Sequence, residues 1–268
     1  MQAINSQSER LDFLVEAFKE DSGQYRDLST PSDPAGKRRL LRSLMNIRMP
    51  GPMPADVLET QDAYLRERAV EKGVIALADI PIRKGCLSLW QGDITRLQVD
   101  AIVNAANSQM LGCFVPMHTC IDNCIHSFAG IQMRLACAEQ MEKLRAQYGE
   151  DYEQPTAVPM LTDAYNLPAK KVIHIVGPIV EGRLTAEHER QLADCYRNTL
   201  DLCSEHGLKS VAFCCISTGV FMFPNQRAAE IAVSTVQSWL REHPKRMDRV
   251  IFNVFKDTDR HIYEQLLI

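Results

Sequence analysis

From Cys86 onward, short apolar runs alternate with helical stretches, and that alternation restricts the chain to a small set of architectures. The runs CLSLW, AIVN, AVPML, VIHIV, SVAFCCI and VIFNVF are rich in β-branched or aromatic residues, as strands buried on both faces are. Between them, residues 186–206 carry Leu192, Cys195, Tyr196, Leu200 and Cys203 at helical spacing and stop at Gly207. Residues 224–241 open with Pro224 and carry Ala228, Ile231, Ala232, Val236 and Trp239. Strands and helices in this order build a largely parallel sheet sandwiched between helices. Ligands of such sheets collect at the carboxyl ends of the strands.

Residues 6 to about 76 read as helices only. Ser6 and Glu9 have the form of a capping box before a face of Leu11, Leu14, Val15 and Phe18. A second helix starts at Asp33-Pro34, carries Leu40, Leu41, Leu44 and Met45, and ends by Pro50-Gly51-Pro52. In a third, Pro54 fits the first turn, Leu58, Leu65 and Ala69 share a face, and Gly73 closes it. The pattern changes near residue 80, which gives a helical N-terminal extension, 1–80, and an α/β domain, 81–268. The apolar stripes of the extension bury against that domain, or else present a surface to a partner.

Thirty Lys plus Arg against 34 Asp plus Glu give a net charge of -4, so no global basic field recruits nucleic acid. A phosphate-bearing ligand has to be held locally. The opening residues MQAINSQSER lack the features of a secretory signal, and no apolar run approaches membrane-spanning length. A cytoplasmic protein with no membrane partner is the expectation. Most of the nine cysteines lie in apolar runs and read as core residues of a reducing compartment. The cluster Cys113, Cys120 and Cys124 departs from that pattern.

Three strand ends lead into small and polar residues: Gln91-Gly92-Asp93-Ile94-Thr95, Asn104-Ala105-Ala106-Asn107 and Ser217-Thr218-Gly219-Val220-Phe221. On one edge of a parallel sheet these turns form a single pocket. Taken in order, GDIT, VDAIVNAAN, a His-containing loop ending IHSFAG, and ISTGVFMFP resemble the signatures of the macrodomain family over about residues 84–268. The resemblance implies a three-layer α/β/α macrodomain with a mostly parallel mixed sheet, and a pocket for ADP-ribose. It implies that Asp93, with Ile94, receives the adenine, that Asn107 bonds the distal ribose, and that Ser217, Thr218, Gly219, Val220 and Phe221 wrap the diphosphate with backbone N–H groups. Phe221 and Phe223 would line the pocket, although Phe223 fits the core equally well. Met222 stands where the family usually has a second glycine. As bland readings, Asp93 caps the turn that follows it, and Asn107 is a turn residue.

The larger departure follows Leu111-Gly112. Where ordinary macrodomains have a run of glycines, this chain has Cys113-Phe114-Val115-Pro116-Met117-His118-Thr119-Cys120. Two thiols and an imidazole spaced C-x4-H-x-C can surround one ion if the loop curls, and that donor set suits Zn2+. Cys113, His118 and Cys120 leave a fourth position open, as catalytic zinc sites do; Cys124 or His126 could close it. His126 reads rather as a structural hydrogen-bonding residue, and Cys137, in the following helix, as core. Asp122 follows the loop at once and either assists hydrolysis, supports a zinc ligand, or caps the helix that begins there.

The whole pattern GCFVPMHTCIDN is similar to the bacterial zinc-dependent macrodomains, which also carry a helical extension. That similarity implies one Zn2+ per chain and hydrolysis of mono-ADP-ribose from a modified protein, with Asn107 and Asp122 as catalytic residues. It also implies a setting with a sirtuin-type transferase and a lipoyl-carrier protein related to the glycine-cleavage H protein. Two thiolates cancel the charge of Zn2+, so the ion would position a distal-ribose hydroxyl or the attacking water as much as polarise it. The alternatives are a non-catalytic ADP-ribose reader with structural zinc, and an esterase acting on O-acyl-ADP-ribose.

Overall fold

The structure, a computed structural model, describes residues 6–268; the first five residues of the opening segment read above lie outside them. Three helices come first, α1 (Gln7–Ser22), α2 (Pro34–Ile47) and α3 (Ala55–Lys72). Strands β1 (Ile75–Ala76), β2 (Ile82–Lys84), β3 (Leu87–Gln91), β4 (Leu97–Gln98) and β5 (Ala101–Ala106) follow, then helices α4 (Ile121–Ala129) and α5 (Ile131–Tyr148). The chain continues through β6 (Met160–Asp163), β7 (Lys171–Val176), α6 (Ala186–Glu205), β8 (Ser210–Phe213), α7 (Asn225–Glu242), β9 (Arg249–Val254) and α8 (Asp257–Leu266). No helix among the described residues is long and apolar enough to cross a membrane.

Seven strands form one sheet in the order β2-β3-β9-β8-β5-β7-β6. The five inner strands are parallel and the two edge strands antiparallel, so the sheet is mixed but mostly parallel, as expected. Ile102, Val103, Val172, Ile173, Val250 and Ile251 are all fully buried, which is why these runs read as continuous rather than alternating apolar segments. Helices α4 and α5 pack together beside β5 and β6, while α6, α7 and α8 form a row, with α6 beside β7 and α8 beside β3 and β9. These are the two helical layers of the α/β/α sandwich.

Local chemistry adjusts the element ends. In AVPML only Met160 and Leu161 are strand, because Pro159 precedes the pairing and Ala157 turns with φ +65°. SVAFCCI leaves the sheet at Phe213, and the chain turns into the loop that follows. The pair β1–β4, two residues long on each side, is too short to leave a periodic signal.

The extension differs from expectation in two respects. Its stripes bury against each other: Leu11, Leu14 and Phe18 of α1 meet Leu41 and Leu44 of α2 and Tyr64 of α3 in a core of their own. In α3 the buried face is Val57, Gln61, Tyr64 and Leu65, with Leu58 only half-buried. The cause is polar docking. Buried Gln61 accepts from the N–H of Ile131 at 3.1 Å and donates to Gln132 at 2.7 Å. Likewise Asn46 donates to Ser127 and accepts from the N–H of Met117, and Arg134 donates to the carbonyls of Met45, Asn46 and Arg48. The extension is thus tied to α4, α5 and the loop before α4 by hydrogen bonds from buried groups, each of which would be costly to leave unmade.

Candidate ligand and metal site

Strands β3, β5 and β8 run the same way, so the segments after Gln91, Ala106 and Phe213 emerge on one edge of the sheet. Asp93 opens a short 3-10 turn, Ile94–Arg96, and its Oδ1 accepts from the Thr95 N–H at 3.0 Å and the Thr95 hydroxyl at 2.6 Å. One carboxylate oxygen therefore caps the turn. The other lies 3.9 Å from Nζ of Lys72, at the end of α3, and is free to accept from a ligand. The Ile94 side chain is buried in the core, which leaves its backbone as the part that could meet a ligand.

In the loop after β8, Ser217 and Met222 hold left-handed backbone conformations, φ +64° and +57°. Met222 thus keeps the glycine-like path despite its side chain, which points outward and is 69% exposed. The loop is closed by N–H bonds from Met222 to the carbonyl of Gly219, 3.1 Å, and from Phe223 to that of Ser217, 2.9 Å. The intervening N–H groups of Gly219, Val220 and Phe221 have no acceptor among the described residues. Successive free N–H groups in a tight turn make an anion-binding concavity. Val220 is exposed, Phe221 half-buried and Phe223 buried, which places Phe223 in the core. Thr218 spends its hydroxyl on the carbonyl of Cys215.

Asn107 ends the β5 segment. Its Nδ2 donates to the carbonyl of Gly112 at 3.2 Å and lies 3.4 Å from Asp122 Oδ2, while its Oδ1 accepts from the Gln109 N–H. Asp122 is buried in the first turn of α4. It does not cap the helix: Cys120 occupies that position, and its sulfur accepts from the Asn123 N–H at 3.4 Å. Asp122 instead takes a 2.8 Å bond from Asn104. Burial raises its pKa to about 6, against the opposing effects of Asn104 and Arg134.

The side chains of Cys113, His118 and Cys120 come together, with their ligand atoms all within 4.8 Å of one another and Cys113 Sγ 3.6 Å from His118 Nδ1. Burial pushes the Cys120 thiol up to about 12, so a cation is what would draw off its proton. Two sulfurs and an imidazole nitrogen at this spacing fit a zinc ion. Asn123 fixes the loop by donating to the carbonyls of Cys113 and Val115. Gly112 is required where the loop leaves Asn107. Its φ is +80°, and a Cβ there would lie 2.8 Å from the His126 ring.

Neither proposed fourth ligand joins this trio. Cys124 faces Arg42, whose guanidinium lies 3.6 Å from its sulfur. His126 belongs to a second, fully buried group with Cys137 and His174, also within 4.8 Å of one another. There His174 Nδ1 accepts from Asn104 at 3.0 Å and Nε2 lies 2.9 Å from Thr162 Oγ1. An Asn donor on Nδ1 implies the neutral Nε2–H tautomer, and burial holds its pKa at about 4. His126 has no hydrogen-bond partner on either ring nitrogen, and burial pulls its pKa well down. The second group was not anticipated, because its members are scattered over 48 residues and two of them look like ordinary core positions.

Sequence reasoning also missed Lys72, which the extension lends to the Asp93 turn, and Phe255, an aromatic 75% exposed just past β9 beside Gln91. An exposed aromatic at the carboxyl end of a parallel strand was the available signal for Phe255.

Against known proteins, residues 103–232 match the model of the Macro domain family. The chain is similar to the protein-ADP-ribose hydrolase of Treponema medium, with 46% identity over 98% of this chain and 99% of that one. It is similar also to the protein-ADP-ribose hydrolase of Staphylococcus aureus, with 43% identity over 100% and 98%. Among solved structures, the Trypanosoma brucei macrodomain in complex with ADP-ribose superposes with a TM-score of 0.63 at 27% identity, covering 89% of this chain and 97% of that one. Relatives matched along their full length, the domain model and the shared architecture agree, and the chain belongs to the macrodomain family.

Proposed function

We propose that this chain removes mono-ADP-ribose from a modified protein, with ADP-ribose lying across the sheet edge and a zinc ion on Cys113, His118 and Cys120. The observation that carries the reading is the convergence of three parts on the start of α4: Asn107 touching both Gly112 and Asp122, Asp122 in its first turn, and the Cys113–His118–Cys120 trio beside it. The names of the full-length relatives support hydrolysis of protein-linked ADP-ribose as the activity.

In this reading Asp93 accepts from the adenine amino group through Oδ2, since Oδ1 is taken by Thr95. Phe255 offers its ring face to the adenine. The N–H groups of Gly219, Val220 and Phe221 hold the diphosphate without a basic side chain, which spares the pocket any charge preference beyond the phosphates. Asn107 orients the distal ribose. Asp122, with a pKa near 6, is largely ionised at neutral pH and accepts a proton from water directed at the ribose C1. When bound, zinc would supply Lewis-acid polarisation and a fixed point for the distal ribose. Effective positioning of this kind is a main part of such catalysis.

We further assign 1–80 as a helical extension and 81–268 as the macrodomain; two separate apolar cores support such a division, with Ile75, Leu77 and Ile80 already packed in the larger one. The many cysteines in apolar runs support a reducing, cytoplasmic setting. The test is to incubate the protein with mono-ADP-ribosylated protein, with and without a chelator, and to measure free ADP-ribose. A lipoyl-carrier protein is the first substrate to try. Release that the chelator stops supports the proposal. Binding without release makes the chain a reader, and equal activity on O-acyl-ADP-ribose without a protein makes it an esterase.

A further inference from the structure

Between α2, α3 and the end of α4 lies a cavity of about 350 Å³, within the range of small-molecule sites. Its walls are apolar, with Leu41, Leu65 and Phe128 among them. Its charged lining is of one sign: Arg38, Arg39, Arg42, Arg68, Lys72 and Arg96 surround it, and no Asp or Glu does. The chain has 34 acidic against 30 basic residues, so this concentration runs against its overall charge.

Few of these charges are neutralised. Arg68 pairs with Glu71, and Lys72 has Asp93 at 3.9 Å. Arg38, Arg39, Arg42 and Arg96 have no carboxylate within 4 Å among the described residues. Arg42 is held in place by bonds to the His118 carbonyl and Asn123 Oδ1, both 2.8 Å, yet its buried Nε has no acceptor. Lys72 sits 3.0 Å over the Phe128 ring, and burial pulls its pKa down. The exposed Arg38 and Arg39 and the more buried Arg42 and Lys72 leave a net positive charge about the void, and an anion entering it is attracted.

We propose that this cavity, which abuts the Asp93 turn at Lys72 and Thr95, is a second ligand site for an organic anion: a carboxylate or phosphate carried on an apolar body. The rim recognises the charge and the walls the body. Arg42 joins the site to the metal-binding loop through the His118 carbonyl, so occupancy and the order of that loop are linked. The inference does not depend on the hydrolase reading.

Calorimetry on the full chain, first saturated with ADP-ribose, tests it. The probes are octanoate and octyl phosphate; 1-octanol supplies the body without the charge, and inorganic phosphate the charge without the body. We expect one octyl anion to bind saturably, one per chain, at least tenfold more tightly than either control. Arg38→Gln with Arg39→Gln, both exposed positions, should weaken it tenfold or more and leave ADP-ribose affinity unchanged; Arg39→Gln alone serves if the double variant unfolds. No saturable binding of either octyl anion, equal binding of octanol, or unchanged affinity in the variants would overturn the proposal. So would binding seen only without ADP-ribose, which would assign the probe to the sheet-edge cleft.

Discussion

Asn107 Nδ2 lies 3.4 Å from Asp122 Oδ2, across the mouth of the loop that carries the three metal-ligand candidates. The contact is long for a hydrogen bond, while the other carboxylate oxygen is held at 2.8 Å by Asn104. Asp122 is therefore fixed on its inner side and loosely attended on its outer side. A carboxylate so placed is oriented by the fold, with 7% of its side chain exposed and His126 Nε2 3.6 Å from its inner oxygen.

The raised pKa of Asp122 sets a pH dependence of stability. Its folded pKa of about 6 exceeds the ordinary 3.8 because burial disfavours the charge. Between those values the native state binds more proton than the unfolded state, so the carboxyl stabilises the fold at low pH and that contribution is lost as pH rises through 6. Asp122→Asn removes the titration. It should gain on the parent as pH rises, by about 2.4 kcal/mol between pH 4 and pH 8. Parallel denaturation curves for the two proteins across that range would refute the assignment, and release of ADP-ribose by the parent should rise through the same interval.

ADP-ribose binding should depend on Asp93 and Gly219 for different reasons. Asp93→Ala removes the carboxylate for adenine and also the cap on Thr95, so a fall in affinity of about tenfold should come with a loss of about 1 kcal/mol in stability. Gly219 has open space around its Cα and is exposed. Gly219→Glu should fold normally and abolish binding by placing a carboxylate against the diphosphate. Calorimetry that finds both variants binding as the parent does would remove the pocket as drawn.

Gly112→Ala is a test of the turn beneath the metal loop. The new Cβ would sit 2.8 Å from the His126 ring, at a φ of +80°. Strain and collision together should cost at least about 2 kcal/mol, or roughly 5 °C in Tm. An unchanged melting temperature would mean that the loop shifts freely and does not anchor Asn107.

The fold was legible because strands buried on both faces leave unbroken apolar runs and helices leave caps; Ser6 with Glu9 and Asp33 with Pro34 mark their helix starts to the residue. The Cys113, His118 and Cys120 trio was visible because it interrupts a glycine run within one loop. What stayed hidden is polar and long-range. Gln61, Asn46 and Arg134 belong to no apolar stripe or motif, yet each is buried and bonded to partners 70 or more positions away. Capping was only the bland reading of Asp122 beside a catalytic one, and Cys120 takes that place because the curled loop brings its sulfur, not the carboxylate, to the Asn123 N–H. His126, Cys137 and His174 meet only after α4, α5 and β7 have packed.

Those two groups of soft donors make the metal prediction sharp, because only one of them lies in the loop between Asn107 and Asp122. Freshly purified protein made with zinc available should hold about one ion per chain by elemental analysis, and Cys137→Ala, in the buried group, should keep it. Cys113→Ala or His118→Ala should lose it, since an ion held by two of three ligands is poorly retained. In both loop variants Asp93 and residues 217–221 are untouched, so ADP-ribose affinity should fall only modestly, while release of ADP-ribose from the modified protein should drop by more than about a hundredfold, roughly 2.7 kcal/mol of transition-state stabilisation. Asp122→Ala separates the roles further: metal and ligand are retained and release slows. Circular dichroism has to show each variant folded, because the loop joins β5 to α4. A folded, zinc-free Cys113→Ala that releases ADP-ribose at the parent rate would make the loop metal structural, and zinc retained there but lost in Cys137→Ala would move the site to the buried trio.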